Sequence, residues 1–257
     1  MVKVVIAEYS GVCFGVRRAL DMLESSVEQS KKEARTAVML GPLIHNPKTV
    51  EKYNEKGVKV VALEDIEEGS IVVVRSHGIT SSVEKDLLNI PGISVMDTTC
   101  PYVKRIHQLV KTKSSEGFAV IVMGNQYHSE VKGIASRIDG SHIVISPDSE
   151  SVKDGLLVDF VKKHKKICLV AQTTSRPVSY EKLIKKIRDI IKKEGKIKFE
   201  AVHTICVATL KRQDAAEEVA SRVDAVVVLG GHNSSNTSKL FTAVSYTHLT
   251  LPTKRIV

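Results

Sequence analysis

With 257 residues, 42% apolar and 26% charged, the chain has the composition of an ordinary globular protein, long enough to bury one large core or two to three smaller ones. No apolar run approaches the roughly 20 residues of a membrane span, and the opening Met1-Val-Lys-Val-Val-Ile is interrupted by Glu8 too early for a signal peptide. A cytoplasmic protein with no membrane partner is expected. The net charge of +9 calls for anionic partners. Lysine-rich helical stretches such as residues 181–188 explain most of that charge, however, and 4% aromatics offer little to stack on bases, so nucleic acid is not expected as a partner.

In chain order, the pattern predicts a strand at 3–6, a helix over 14–30, a strand at 37–40, a helix near 47–56 and a strand at 71–74. This βαβα order argues for parallel sheets covered by helices, and the same order recurs downstream. Aligned on their cysteines, the units repeat three times. Cys13 is followed by Arg17-Arg18, Cys100 by Lys104-Arg105 and Cys206 by Lys211-Arg212, each near a helix start. Then come the strands "AVMLGPLIHN", "AVIVMGNQYHS" and "AVVVLGGHNSSN", ended by Gly41, Gly124 and Gly230, with His45, His128 and Ser234 four residues on. The first two units add a strand with a polar tip, at His77 and at Thr173. The third shows no such strand, and only 51 residues follow Cys206.

Units of this size are domain-like. Polar residues at the carboxyl ends of their strands can face a common centre, which would bring the three cysteines together. A cysteine at a strand-to-helix junction, with free backbone N–H groups and basic residues beside it, is expected to favour the thiolate. Pro101 after Cys100 suits a first helical turn. Three thiolates with no fourth partner in the pattern suit a [4Fe–4S] cluster with one iron open to substrate. A zinc site closed by three cysteines and one histidine is the alternative. Cys168 lies inside the apolar run "KICLVA" and reads as core, while His107, His142, His164 and His203 read as surface or core residues.

His45, His77, His128, Thr173, Ser234, Ser235 and Asn236 form a set of hydrogen-bond donors suited to a phosphate or diphosphate. Glu130, in "HSEVKG", is the one nearby acid. Negative charge from a cluster and a diphosphate would raise its pKa and suit it to donate a proton.

The segments "GVCFGVRRA", "GPLIHNP", "RSHGIT", "DTTCPYV", "HSEVKG", "AQTTS", "TICVATLKRQ" and "NSSNTSKL" resemble, in order, those of the 4-hydroxy-3-methylbut-2-enyl diphosphate reductase (LytB) family. The resemblance implies a pseudo-threefold trefoil of three similar α/β domains around a [4Fe–4S] cluster held by Cys13, Cys100 and Cys206. It implies reductive removal of an allylic hydroxyl to give isopentenyl and dimethylallyl diphosphate, the last step of the methylerythritol phosphate route. It makes Glu130 the proton donor, with Thr173 and His128 in the relay. His45, His77, His128, Ser234, Ser235 and Asn236 would hold the diphosphate, and ferredoxin or flavodoxin would supply electrons. The expected organisation is a first domain at 1–97, a second at 98–203, an incomplete third at 204–243 and a non-native tail at 244–257, "VSYTHLTLPTKRIV". Two other readings stand beside it, a redox-neutral [4Fe–4S] dehydratase and a zinc-stabilised basic binding protein.

Overall fold

The β-branched runs Ile71–Val74 and Ala119–Met123 are buried along their whole length, which is what a central parallel strand covered on both faces requires. The structure is a computed structural model that describes residues 3–146, 154–231 and 234–245. In chain order the first unit comprises α1 (Phe14–Glu33), β1 (Ala37–Leu40), α2 (Pro47–Glu55), β2 (Lys59–Val61), β3 (Ile71–Val74), α3 (Ser81–Leu88) and β4 (Ser94–Asp97). The second comprises α4 (Pro101–Ser115), β5 (Ala119–Met123), α5 (Ser129–Ala135), β6 (His142–Ile145), α6 (Asp154–Lys163), β7 (Lys166–Ala171), α7 (Pro177–Glu194) and β8 (Lys198–Ala201). Two further helices follow, α8 (Val207–Ala220) and α9 (Ser235–Ser245).

Each sheet has four parallel strands, and the two orders, β2-β1-β3-β4 and β6-β5-β7-β8, are the same. Alternate residues of each central strand feed two cores. Met39 and Val73 pack with Leu23 of α1 on one face of the first sheet, while Val38 and Val72 pack with Leu87 of α3 on the other. In the second sheet Ile121 and Leu169 pack with Leu157 and Tyr180, and Val120 and Val170 with Ile106 and Ile134. Because all strands in a sheet run the same way, their carboxyl ends share one edge. That edge carries Gly41, Arg75, Ser76, His77, Gly124, Gln172 and Thr173.

Two expected strands are not formed. Residues 3–6 and the run 225–229 of the third unit pair with no strand among the described residues. Both are left open to water, with Val4 81%, Ile6 78%, Val227 80% and Leu229 84% exposed. Residues 225–229 keep the alternating exposure of a strand, but alternation without a hydrogen-bonded neighbour does not make a sheet. From residue 246 onward the expected tail lies outside the described residues, and Val244 and Ser245 close α9.

Tyr180 ties α7 to the strand ends that lead toward Cys206. It is fully buried, and its hydroxyl points at the carbonyls of Leu169 (3.1 Å) and Val202 (2.7 Å). Tyr180→Phe should lower the unfolding free energy by about 1 kcal/mol. In urea titration this appears as a lower midpoint with an unchanged slope; an unmoved midpoint would show that the hydroxyl contributes nothing.

Candidate active site

Cys13, Cys100 and Cys206 are the N-cap residues of α1, α4 and α8. Two of them hang from the sheets by the same bonds. Cys100 N–H donates to Ser76 O and Cys206 N–H to Thr173 O, each at 2.9 Å. Two residues earlier, Thr98 Oγ1 donates to Val74 O at the end of β3, and Thr204 Oγ1 donates to Ala171 O at the end of β7. Basic residues then bind the loops crosswise. Arg18 reaches the carbonyls of Thr98 and Thr99 ahead of Cys100, and Arg212 those of Tyr9 and Gly11 ahead of Cys13.

The thiols therefore converge. A Cβ on Gly15 would stand 2.7 Å from Cys100 Sγ and 3.9 Å from Cys13 Sγ, so only glycine leaves this space clear. Burial pushes the Cys100 thiol up, helped by the charges of Cys13 and Cys206 and opposed by the N–H groups of Tyr102 and Val103. The N–H groups at this helix end pull toward the thiolate as expected, but at Cys100 desolvation outweighs them. The sulfurs do not all lie within 4.8 Å of one another; among the described residues the one trio that does is His45, His77 and His128. Three soft sulfur donors are a set that either an iron–sulfur group or a zinc ion takes.

His45, His77 and His128 pack ring to ring, with centroids 4.4, 5.2 and 5.3 Å apart. Burial lowers all three pKa values, His128 to about 4, and the Arg75 charge adds to the effect on each. All three are neutral at physiological pH. His128 Nδ1 accepts the Glu130 N–H (3.2 Å), which assigns the ring proton to Nε2. His128 Nε2, His45 Nε2 and His77 Nδ1 are buried without a partner. Such atoms are costly unless a ligand satisfies them. Beside them opens a cavity of about 530 Å³ lined by His45, Arg75, His128, Ser234, Ser235 and others.

Glu130, on α5, is 1% exposed. Its Oε1 accepts Thr173 N–H (2.6 Å) and its Oε2 accepts Thr173 Oγ1 (2.8 Å). Burial raises its pKa to about 7 against the downward pull of those two bonds. The carboxyl group is thus poised near neutrality by desolvation alone, before any negative ligand adds to it.

A family model described as "LytB protein" matches residues 4–255. The chain belongs to the LytB family. Relatives named 4-hydroxy-3-methylbut-2-enyl diphosphate reductase are 36% identical in Aquifex aeolicus over 94% of this chain and 79% of theirs, and 39% identical in Clostridioides difficile over 91% and 80%. One in Clostridium acetobutylicum is 36% identical over 94% of this chain, which spans only 36% of that protein's length. A solved (E)-4-hydroxy-3-methyl-but-2-enyl diphosphate reductase, titled the terminal enzyme of the non-mevalonate pathway, superposes with a TM-score of 0.71 at 34% identity, covering 96% of this chain and 83% of that one. The reductase of Plasmodium falciparum gives 0.79 at 26% identity, over 92% and 71%. The α/β fold described above is the one this LytB chain shares with them.

Of the residues the sequence singled out in this LytB chain, His45, His128, Ser234 and Ser235 line the cavity, and His77 packs against the first two. Thr173 sits on Glu130. Asn236, half-buried on α9, is not among the residues lining the cavity. Cys168 is buried in β7, its thiol pushed up to about 11, and is a core residue as expected. His107 is also core, wedged between Gly78 and Gly133. Sequence reasoning missed the Thr98 and Thr204 clasps, although "TTC" and "TIC" share a threonine two residues before each cysteine. It missed Thr174 too, whose hydroxyl meets Ser235 Oγ at 2.6 Å and ties α9 to the second sheet.

The Glu130 pKa sets a stability signature. Its folded value, about 7, lies above its ordinary 4.5, so between these values the folded protein keeps a proton the unfolded chain has released. Stability falls as pH rises through that window, by up to about 3 kcal/mol above it. Glu130→Gln retains both contacts to Thr173 and removes the penalty. It should match the parent in urea near pH 4.5 and outlast it above pH 7; identical pH profiles would refute the assignment.

Proposed function

We propose that the chain catalyses reductive dehydroxylation of (E)-4-hydroxy-3-methylbut-2-enyl diphosphate to isopentenyl and dimethylallyl diphosphate. The observation that carries this reading is the meeting of three helix-capping cysteines with a buried carboxyl group of pKa about 7 and three neutral, unpartnered imidazoles. The names of the LytB relatives support it. Two electrons and two protons enter, the allylic C–O bond breaks, and one water leaves with each product.

Cys13, Cys100 and Cys206 would hold a [4Fe–4S] cluster, which would supply the electrons for the reduction. Glu130 delivers the proton to the departing hydroxyl. Thr173, bonded to both carboxyl oxygens, fixes its orientation, and His128 links the carboxyl-bearing helix to the diphosphate. His45, His77, His128, Ser234, Ser235 and Asn236 hold the diphosphate. Neutral imidazole N–H groups in a low-dielectric pocket bind the anion as oriented dipoles that need no reorganisation. The domains run 1–97, 98–203 and 204–243. A small acidic carrier, ferredoxin or flavodoxin, suits the basic surface, and the cytoplasm keeps four cysteines free.

Anaerobic reconstitution with iron and sulfide should give a brown protein whose cluster absorption and paramagnetic signal are lost in Cys13→Ala, Cys100→Ala and Cys206→Ala. The reconstituted chain, given reduced ferredoxin and the allylic diphosphate, should release both isoprenoid products. Zinc uptake with no cluster, or hydration chemistry without electron consumption, would defeat the reading. Glu130→Gln should retain the cluster and lower turnover by about 100- to 10,000-fold with little change in KM.

A further inference from the structure

Arg75 has no role in the chemistry set out above, yet its setting demands an anion. It follows β3 directly, and its Nε donates to Gly78 O at 3.1 Å. Its Nη1 passes 3.2 Å from where a Cβ on Gly41 would stand, so the glycine that ends β1 at φ +72° also clears the guanidinium's path. The side chain is partly withdrawn from water, and burial alone pulls its pKa down. Among the described residues no carboxylate comes within ion-pair distance of it. A partly desolvated guanidinium without an anion is a costly arrangement. It is found here on the wall of the cavity that also exposes His45, His128, Ser234 and Ser235.

Lys132 on α5 and Lys239 on α9 also line this cavity, with Lys132 exposed, while burial and the Arg75 charge hold the imidazoles of His45, His77 and His128 below their ordinary pKa. Among these groups Arg75 is the cation fixed at the end of β3, by its bond to Gly78 O. We propose that Arg75 is the principal charge partner of the substrate's diphosphate, selecting a diphosphate over a monophosphate by a forked contact. The proposal rests on the diphosphate reading of this cavity. Guanidinium geometry matches two phosphate oxygens at once, which a lysine cannot reproduce. The division of labour follows: the imidazoles and hydroxyls orient the group, and Arg75 neutralises it.

The test is calorimetric titration of the cluster-reconstituted full chain with isopentenyl diphosphate, inorganic diphosphate and isopentenyl monophosphate, under anaerobic conditions at neutral pH. Arg75→Gln should raise the Kd for both diphosphates by about 10- to 100-fold, the loss of a charge-assisted hydrogen-bonded contact. The monophosphate should be much less affected, so the preference between them collapses. The slope of log Kd against log salt should fall by about one. Arg75→Lys, which keeps the charge and guards against a misfolded Gln variant, should recover the salt slope but not the full preference. Tight diphosphate binding by the parent that Arg75→Gln matches within about threefold would overturn the proposal alone. Failure of the parent itself to bind any diphosphate would overturn the diphosphate reading, and the proposal with it.

Discussion

Everything in the site depends on how each cysteine is hung. A helix N-cap residue normally turns its side chain back on its own helix to satisfy free N–H groups; Cys13 and Cys206 make no such bond, and only the Cys100 sulfur feels the N–H groups of its own first turn, those of Tyr102 and Val103. The backbone does the holding. Cys100 and Cys206 are suspended from the tip of the preceding sheet by one N–H bond and a threonine hydroxyl, so each thiol's position is set by the register of β3 with β4 or of β7 with β8. A one-residue slip in either pairing would turn the cysteine away.

Apart from Arg75 and the lysines on its wall, the cleft built this way carries little charge of its own. Desolvation pushes the Cys100 thiol and the Glu130 carboxyl toward their protonated forms and the imidazoles of His45, His77 and His128 toward their deprotonated ones. Each of these five groups is driven toward neutrality by burial. The protein can therefore fold around this many polar atoms without facing large ionic repulsion, at the cost of several unsatisfied nitrogens. Ligands that bring charge and acceptors repair that cost, so binding and stability are linked.

Much of this was legible in the sequence. The strands at 37–40 and 71–74 and the helix from Phe14 announce themselves by period and composition, and the threefold recurrence of cysteine, basic pair and glycine-ended strand singles out the three thiols and the histidine tips. What stayed hidden is tertiary. Whether residues 225–229 pair depends on a neighbour, not on their own alternation, and whether Arg18 and Arg212 stabilise a thiolate or clasp a neighbouring loop depends on distance. The Glu130 shift was foreseen in direction, but its cause, burial beneath Thr173, is invisible in a string of letters. Arg75 carries no signal in the sequence, because its lack of a carboxylate partner is seen only in the fold.

The three units contribute to the site with unequal firmness, and the reason lies in what anchors each part. Cys206 is bonded to Thr173 and clasped by Thr204 to Ala171, so it belongs mechanically to the second sheet although it begins α8. Cys13 begins α1 of the first unit but is steadied from α8 by Arg212, so thiols of different units share restraints. Ser234 and Ser235 are held differently. A hydroxyl pair joins Ser235 to Thr174, a Cβ on Gly231 would run into the His45 carbonyl, and α9 packs on α8; no strand behind them is hydrogen-bonded to a sheet among the described residues. Local opening draws on the least anchored elements first. The wall formed by α9 thus rests on α8 and one hydroxyl pair, while Cys100 and Cys206 are tied directly to the two sheets.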